Sequence, residues 1–259
     1  MKQAFWLLMT LSVAPVYART PQQQNDILKK VGFTQNLNAQ VPLQTVFQDE
    51  MGRAVPLSTY FGKKPVLLNL VYFQCPMLCT EVLNGTVRTI RAIPLQIGKD
   101  FNVVTVSFDS RETPKMAAAK KVVYLDRYGR PGAAEGWAFL TGSDLSINAL
   151  ADAVGFHFAY DKEIDQFAHA SGIMILTPEG RLSHYFYGVE YPAQDVRLAL
   201  VEASHNKIGS RVDQLLLYCY HYDPTTGRYG LVIMRVIRIA GLATLLLLGT
   251  SVQSMGHWK

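Results

Sequence analysis

The chain has 259 residues, 49% of them hydrophobic and 17% charged, with a formal net charge of +5. This is long and apolar enough for one sizeable domain with a full core and appendages. The charge is only mildly basic, and no Lys/Arg cluster interleaves with aromatic residues, which argues against a nucleic-acid partner.

Residues 1–18 have the form of a secretory signal peptide: a charged start at Lys2, an apolar core from Ala4 to Val13, and small residues at Val16 and Ala18. The apolar core is too short to span a bilayer, so a mature chain starting near Arg19 is expected, exported to the periplasm. Residues 19–40 are polar, rich in Gln and Asn and without periodicity, which predicts a flexible leader. Val46 to Val55 predicts a hairpin around Met51-Gly52. Pro65 to Phe73 predicts a buried strand, followed by a helix from Cys75 to about Ile97. Phe101–Phe108 predicts a second buried strand. Pro114 suits the first turn of a helix running to about Arg127. Trp137–Thr141 predicts a strand, and Ser143 caps a helix to about Val154. Gly172–Thr177 and Leu182–Tyr187 flank the Pro178-Glu179-Gly180 turn as a hairpin, and a helix over 193–204 follows. Strands alternating with helices and a closing hairpin predict an α/β domain of thioredoxin type over 41–228, with the 46–55 hairpin as an N-terminal extension. Residues 229–252 are mostly apolar and predict a C-terminal transmembrane helix, ahead of a tail at 253–259. Arg235 and Arg238 leave an uninterrupted apolar stretch of only about 14 residues, which keeps an interfacial or dimer-packing helix as the alternative.

The chemistry concentrates in Cys75-Pro76-Met77-Leu78-Cys79, directly after the first buried strand. Two cysteines four positions apart on a helix share one face, about 5–6 Å apart at Cβ. Such a pair closes a disulfide or clamps a soft metal ion. A disulfide there encloses too small a loop to restrict the unfolded chain much. A helix N-terminus favours thiolates, the form that binds metal or attacks disulfides. In an oxidising compartment the pair needs either a metal or a reductant. His169 stands just before the strand at 173–176, at the point which in thioredoxin-type folds faces the redox helix. Thiol oxidoreductases of that fold usually carry a proline there, and this chain has none between Ala159 and Pro178. An imidazole there adds a ligand and favours metal. Met77 and Met174 are weaker axial candidates, and Asp161 and Asp165 could orient the imidazole. Cys219, near His221 in an aromatic segment, reads as a packed residue near the membrane interface, with a second metal site as the alternative.

The segments Tyr72–Cys79, Val106–Pro114 and Phe167–Gly180 resemble, in order, the motifs of the Sco/SenC family, and the likeness runs from about Val41 to Gly230. These are membrane-tethered, copper-binding assembly factors for the Cu-A centre of cytochrome c oxidase. The resemblance implies copper, as Cu(I) or Cu(II), on Cys75, Cys79 and His169. It also implies an acidic neighbour at Asp109, beside the site or facing a partner. It implies subunit II of the oxidase as partner, alongside a periplasmic thiol reductant and membrane lipid. Two thiolates and an imidazole suit copper by softness. Two other readings stay open. One is a dedicated thiol–disulfide oxidoreductase acting on the subunit II cysteines, with Cys75 attacking and Cys79 resolving. The other is a thiol peroxidase using Arg111. Many members are anchored at the N-terminus, whereas here the better anchor candidate is C-terminal.

Overall fold

A computed structural model describes residues 29–75 and 78–209, together with 222–223, 228–229, Arg238, Gly241 and Thr244. In chain order the first elements are β1 (Gly32–Phe33), β2 (Val46–Gln48), β3 (Ala54–Pro56), a 3-10 turn at Leu57–Tyr60, and β4 (Val66–Val71). Helix α1 (Leu78–Ala92), β5 (Asn102–Ser107), α2 (Pro114–Tyr128), the single turn α3 (Ala133–Gly136), β6 (Trp137–Leu140) and α4 (Asp144–Ala153) follow. Then come β7 (Phe156–Asp161), β8 (Gln166–His169), β9 (Gly172–Leu176), β10 (Leu182–Tyr187) and α5 (Ala193–Ser204). The chain divides into two units, Met1–Lys207 and Ile208–Lys259. In the second unit, β11 (Tyr222–Asp223) and β12 (Arg228–Tyr229) form an antiparallel pair.

The first unit is built on a five-stranded sheet in the order β10-β9-β4-β5-β6. β4, β5 and β6 run parallel, whereas β9 is antiparallel to β4 and β10 antiparallel to β9. Every residue of β4 and β6 is buried, as expected for parallel strands covered on both faces. α1 and α2 are the crossovers that parallel pairing requires. This is the thioredoxin-like α/β architecture that the alternating pattern predicts. The core holds one polar knot. Asn69, in the middle of β4, donates to Thr105 Oγ1 at 3.2 Å and accepts from Thr86 Oγ1 of α1 at 3.0 Å. Trp137 Nε1 donates to the same Thr105 oxygen at 3.0 Å. Each buried polar group is therefore matched, which removes the desolvation penalty and fixes how α1 and three strands register.

Three local outcomes differ from the sequence expectation. The described part of α1 runs from Leu78; Cys79 is helical, whereas Cys75 is not. The residue before a proline is pushed away from helical backbone angles, and Cys75 precedes Pro76. A second sheet, β1-β7-β8, was not foreseen, and it contains the strand that ends on His169. Gly32–Phe33, expected within the flexible leader, pairs with Phe156 and His157 in that sheet. The signal segment 1–18, Cys219, His221 and the tail lie outside the described residues. So does the expected membrane helix, except Tyr229 and the helical, exposed Arg238, Gly241 and Thr244. Among the described residues, no helix is long and apolar enough to cross a membrane.

α1 presses its middle against the chain at 189–191. A Cβ on Gly85 would stand 1.9 Å from the Val189 carbonyl oxygen, while Thr89 Oγ1 donates to the Tyr191 carbonyl at 2.8 Å. The neighbour is backbone and cannot swing aside. Gly85→Ala is therefore expected to destabilise the domain by about 3 kcal/mol, read as a lowered denaturant midpoint with unchanged slope.

Candidate metal centre

β4 ends at Val71, and the chain turns off the sheet through Tyr72, Phe73 and Gln74 before Cys75. The Phe73 and Gln74 amides have left the ladder and are taken up by one carboxylate. Phe73 N–H donates to Glu112 Oε2 and Gln74 N–H to Glu112 Oε1, each at 2.7 Å. Ser107, at the end of β5, donates its hydroxyl to Glu112 Oε2 at 2.6 Å. Glu112 is buried, and burial pushes its carboxyl above the ordinary range while the donated hydrogen bonds pull the other way. The loop closes with Cys75 N–H pointing to the Tyr72 carbonyl at 3.4 Å.

The two sulfurs sit at the head of α1. Cys79 N–H donates to Cys75 Sγ at 3.3 Å, so the first sulfur accepts one of the amides that a helix start leaves without an intrahelical partner. Tyr72 N–H donates to Cys79 Sγ at 3.3 Å. Both cysteines are thiols, and Cys79 is almost fully enclosed. Burial pushes the Cys79 thiol well up, with a further push from the neighbouring Cys75.

His169 closes the group from the far side. Its Nε2 lies 3.2 Å from Cys79 Sγ, and its Nδ1 lies 2.8 Å from the Ala170 carbonyl oxygen. A carbonyl only accepts, so the proton is assigned to Nδ1 and the Nε2 lone pair faces the sulfur. That is the tautomer a metal ligand requires, and the hydrogen bond on the other nitrogen fixes it. Aromatic rings hold the imidazole: Phe108 at 5.1 Å between centroids, Tyr72 at 6.0 Å and Phe156 at 6.4 Å. The ligand atoms of Cys75, Cys79 and His169 all lie within 4.8 Å of one another. Among the described residues, no other group of three or more His, Cys, Asp or Glu gathers closely enough to hold a metal ion. Two soft sulfurs and one nitrogen, half-enclosed, suit copper in either common oxidation state. Zinc in a structural site usually takes a fourth protein ligand.

The other expected residues fall elsewhere. Asp109 lies outside the three-residue group, its carboxylate gripped by Arg111 at 2.7–2.8 Å. Asp165 bonds Arg111 and Tyr160, and the ring of His169 is oriented by a backbone carbonyl instead. Met174 is fully buried in the core, and Met77 lies outside the described residues. Glu112, which holds the Phe73 and Gln74 amides, carries no signal in the sequence that singles it out.

A thioredoxin-like domain that carries two cysteines at the head of its first helix and a histidine before its antiparallel strand belongs to a class built for thiol or soft-metal chemistry. The SCO1/SenC family model matches residues 37–202, and the chain belongs to that family. No curated protein sequence matches it. Among solved structures it resembles one from Aquifex aeolicus VF5, described as a candidate electron transfer protein. That match has 27% identity and a TM-score of 0.57, covering 66% of this chain and 95% of the other. A SCO1/SenC family lipoprotein from Bacillus anthracis strain Ames shares the fold at 15% identity and a TM-score of 0.55, covering 67% and 99%. Arabidopsis thaliana ScoI, solved with copper bound, does so at 17% identity and a TM-score of 0.50, covering 62% and 96%.

Glu112→Gln tests the loop anchor. An amide offers one acceptor oxygen where the carboxylate offers two, and its NH2 would face a backbone N–H. At least one buried donor is orphaned, at a cost of about 2–3 kcal/mol. The expected outcome is a lowered melting temperature together with faster alkylation of Cys75, followed by mass spectrometry.

Proposed function

We propose that this chain is a copper metallochaperone for cytochrome c oxidase, taking copper on Cys75, Cys79 and His169 and passing it to the dicysteine Cu-A site of subunit II. The observation that carries this reading is the meeting of the three ligand atoms within 4.8 Å, with the imidazole lone pair already turned inward. Family membership supports it, because the family consists of copper-binding oxidase assembly proteins. A copper ion would take the place of the thiol proton between Cys79 Sγ and His169 Nε2. Delivery proceeds by ligand exchange: an incoming cysteine replaces one protein ligand at a time, and no free ion is released. The working compartment is the periplasmic face of the inner membrane, reached through the signal at 1–18 and held by the segment at 229–252.

A second reading, a thiol–disulfide oxidoreductase dedicated to the subunit II cysteines, is favoured by one feature. Cys75 precedes the helix and is more exposed than Cys79, at 8% against 1%, as an attacking thiol and its resolving partner should be.

Anaerobic copper titration of the reduced chain decides between them. One tightly held copper per chain is expected, with thiolate charge-transfer bands for Cu(II). His169→Ala should weaken Cu(II) by more than about a hundredfold while leaving thermal unfolding unchanged. Unaltered copper spectra in that variant, or a cycling disulfide without stable copper, would move the assignment to the oxidoreductase.

Protons and copper compete for the same sulfurs. Because burial holds Cys79 protonated, copper uptake must expel its proton. Affinity should rise with pH by about tenfold per unit for each thiol deprotonated, as measured by ligand competition between pH 6 and 8.

A further inference from the structure

The strand that carries His169 has little of its own to hold it. β8 is four residues long and lies at the edge of the small sheet, with β7 as its only strand neighbour among the described residues. Across this hairpin lies a side chain from elsewhere in the fold. Arg111, in the loop after β5, donates from Nη1 to Asp165 Oδ1 at 2.7 Å. Its guanidinium covers the ring of Tyr160 at 5.0 Å and that of Phe167 at 5.5 Å. Asp165 is the left-handed residue of the hairpin turn, at φ 49°, and it also receives the Tyr160 hydroxyl at 2.6 Å. Arg111 thus touches β7, the turn and β8 together.

The opposite edge of the same guanidinium is anchored in the core. Nε donates to Asp109 Oδ1 at 2.8 Å and Nη2 to Asp109 Oδ2 at 2.7 Å, the paired geometry that gives such contacts direction as well as strength. Asp109 is buried, and its own N–H is held by Ser107 Oγ at 3.1 Å. The residue after Arg111, Glu112, holds the Phe73 and Gln74 amides ahead of Cys75. Two consecutive side chains therefore reach the two ligand-bearing elements, one the cysteine loop and the other the histidine hairpin.

We propose that Arg111 is a positioning residue for His169, clamping the β7–β8 hairpin to Asp109 so that the imidazole stays in register with the two sulfurs. This rests on the copper reading of the site. The clamp is asymmetric. Its Asp109 end is buried, whereas Arg111 and Asp165 are 52% and 73% exposed in their side chains, so that outer pair adds little to global stability. Loosening it should disturb the metal geometry without unfolding the domain, which separates positioning from a merely structural role.

The test uses the full chain with two substitutions at opposite ends of the outer pair. Asp165→Gly keeps the left-handed turn and removes the carboxylate, and Arg111→Lys keeps the charge but loses the planar fork that pairs with Asp109 while reaching Asp165. Both should lower Cu(II) affinity by about tenfold, the lower end of what outer partners of a metal ligand contribute, and shift the Cu(II) EPR parameters. Melting temperatures should stay close to the parent. Asp165→Asn, which tolerates the same φ and keeps an acceptor oxygen, should recover most of the loss. In a His169→Ala background neither substitution should change copper affinity further, because the clamp acts through that side chain. Parental copper spectra in both variants would overturn the proposal, as would an equal loss in the His169→Ala background. If the parent chain holds no copper, the reading of the site fails on its own. Hydrogen exchange at the Phe167–His169 amides then decides the clamp: faster exchange in both variants upholds it and unchanged exchange overturns it.

Discussion

A chain leaving the end of a buried parallel strand carries backbone amides that no ladder accepts, and a buried amide without a partner costs as much as a broken hydrogen bond. Here the problem falls at Phe73 and Gln74, directly before the first cysteine. The buried Glu112 carboxylate solves it by taking both amides and the Ser107 hydroxyl. Because Ser107 ends β5 and the amides follow β4, one side chain ties together the ends of two neighbouring strands. The rest of the centre inherits its position from that knot. With the loop fixed, Tyr72 N–H can reach Cys79 Sγ, and Cys75 Sγ can receive the Cys79 amide at the head of α1. The cost is a carboxyl group held in a place that disfavours its charge.

The sulfurs and the imidazole arrive by separate routes, and this shapes what the centre can do. Cys75 and Cys79 come from a loop and a helix start, both locked to the central sheet. His169 comes from a small edge hairpin packed on aromatic side chains. Its ring is turned by the Ala170 carbonyl and hemmed by Phe108 and Tyr72, so the lone pair meets the sulfur with a backbone carbonyl, not a carboxylate, bonded to the other ring nitrogen. A buried thiol and a half-buried imidazole stand in direct contact, Cys79 Sγ lying 3.2 Å from His169 Nε2. The same enclosure raises the Cys79 thiol, so the copper capture proposed for this centre competes with protons.

Much of this was legible in the sequence because the decisive signals are local. The runs at 66–71 and 102–107 are apolar and β-branched, Pro114 opens α2, and Ser143 caps α4 by accepting the Ser146 amide. Cys75, Cys79 and His169 stood out by residue type and by their place beside strands, and the fold brings them together. The β7–β8 hairpin leaves little trace in the sequence because its turn, Lys162-Glu163-Ile164-Asp165, contains neither Gly nor Pro, and its strands are mostly half-buried or exposed without alternation. The cysteine spacing suggests a shared helix, but Pro76 disfavours helical geometry in the residue before it, and Cys75 is not helical. Glu112 was invisible for another reason. A carboxylate beside a helix start reads as solvated, and only the three-dimensional approach of the 73–74 loop, 38 or 39 positions away, gives it donors.

The centre lies at the carboxyl ends of β4 and β5, the edge where open α/β sheets build their sites, because chains leaving parallel strands diverge there. β4 leads into the cysteine loop, and β5 into Asp109, Arg111 and Glu112. The stabilising mass lies behind them, in strands buried on both faces and in the Asn69–Thr105–Thr86–Trp137 knot that sets the register of α1. A change at Glu112 or Gly85 acts on the frame itself. Cys75 and Cys79 are buried within that frame, whereas His169 is half-buried at its margin, so the imidazole is the member of the group whose exchange touches the frame least.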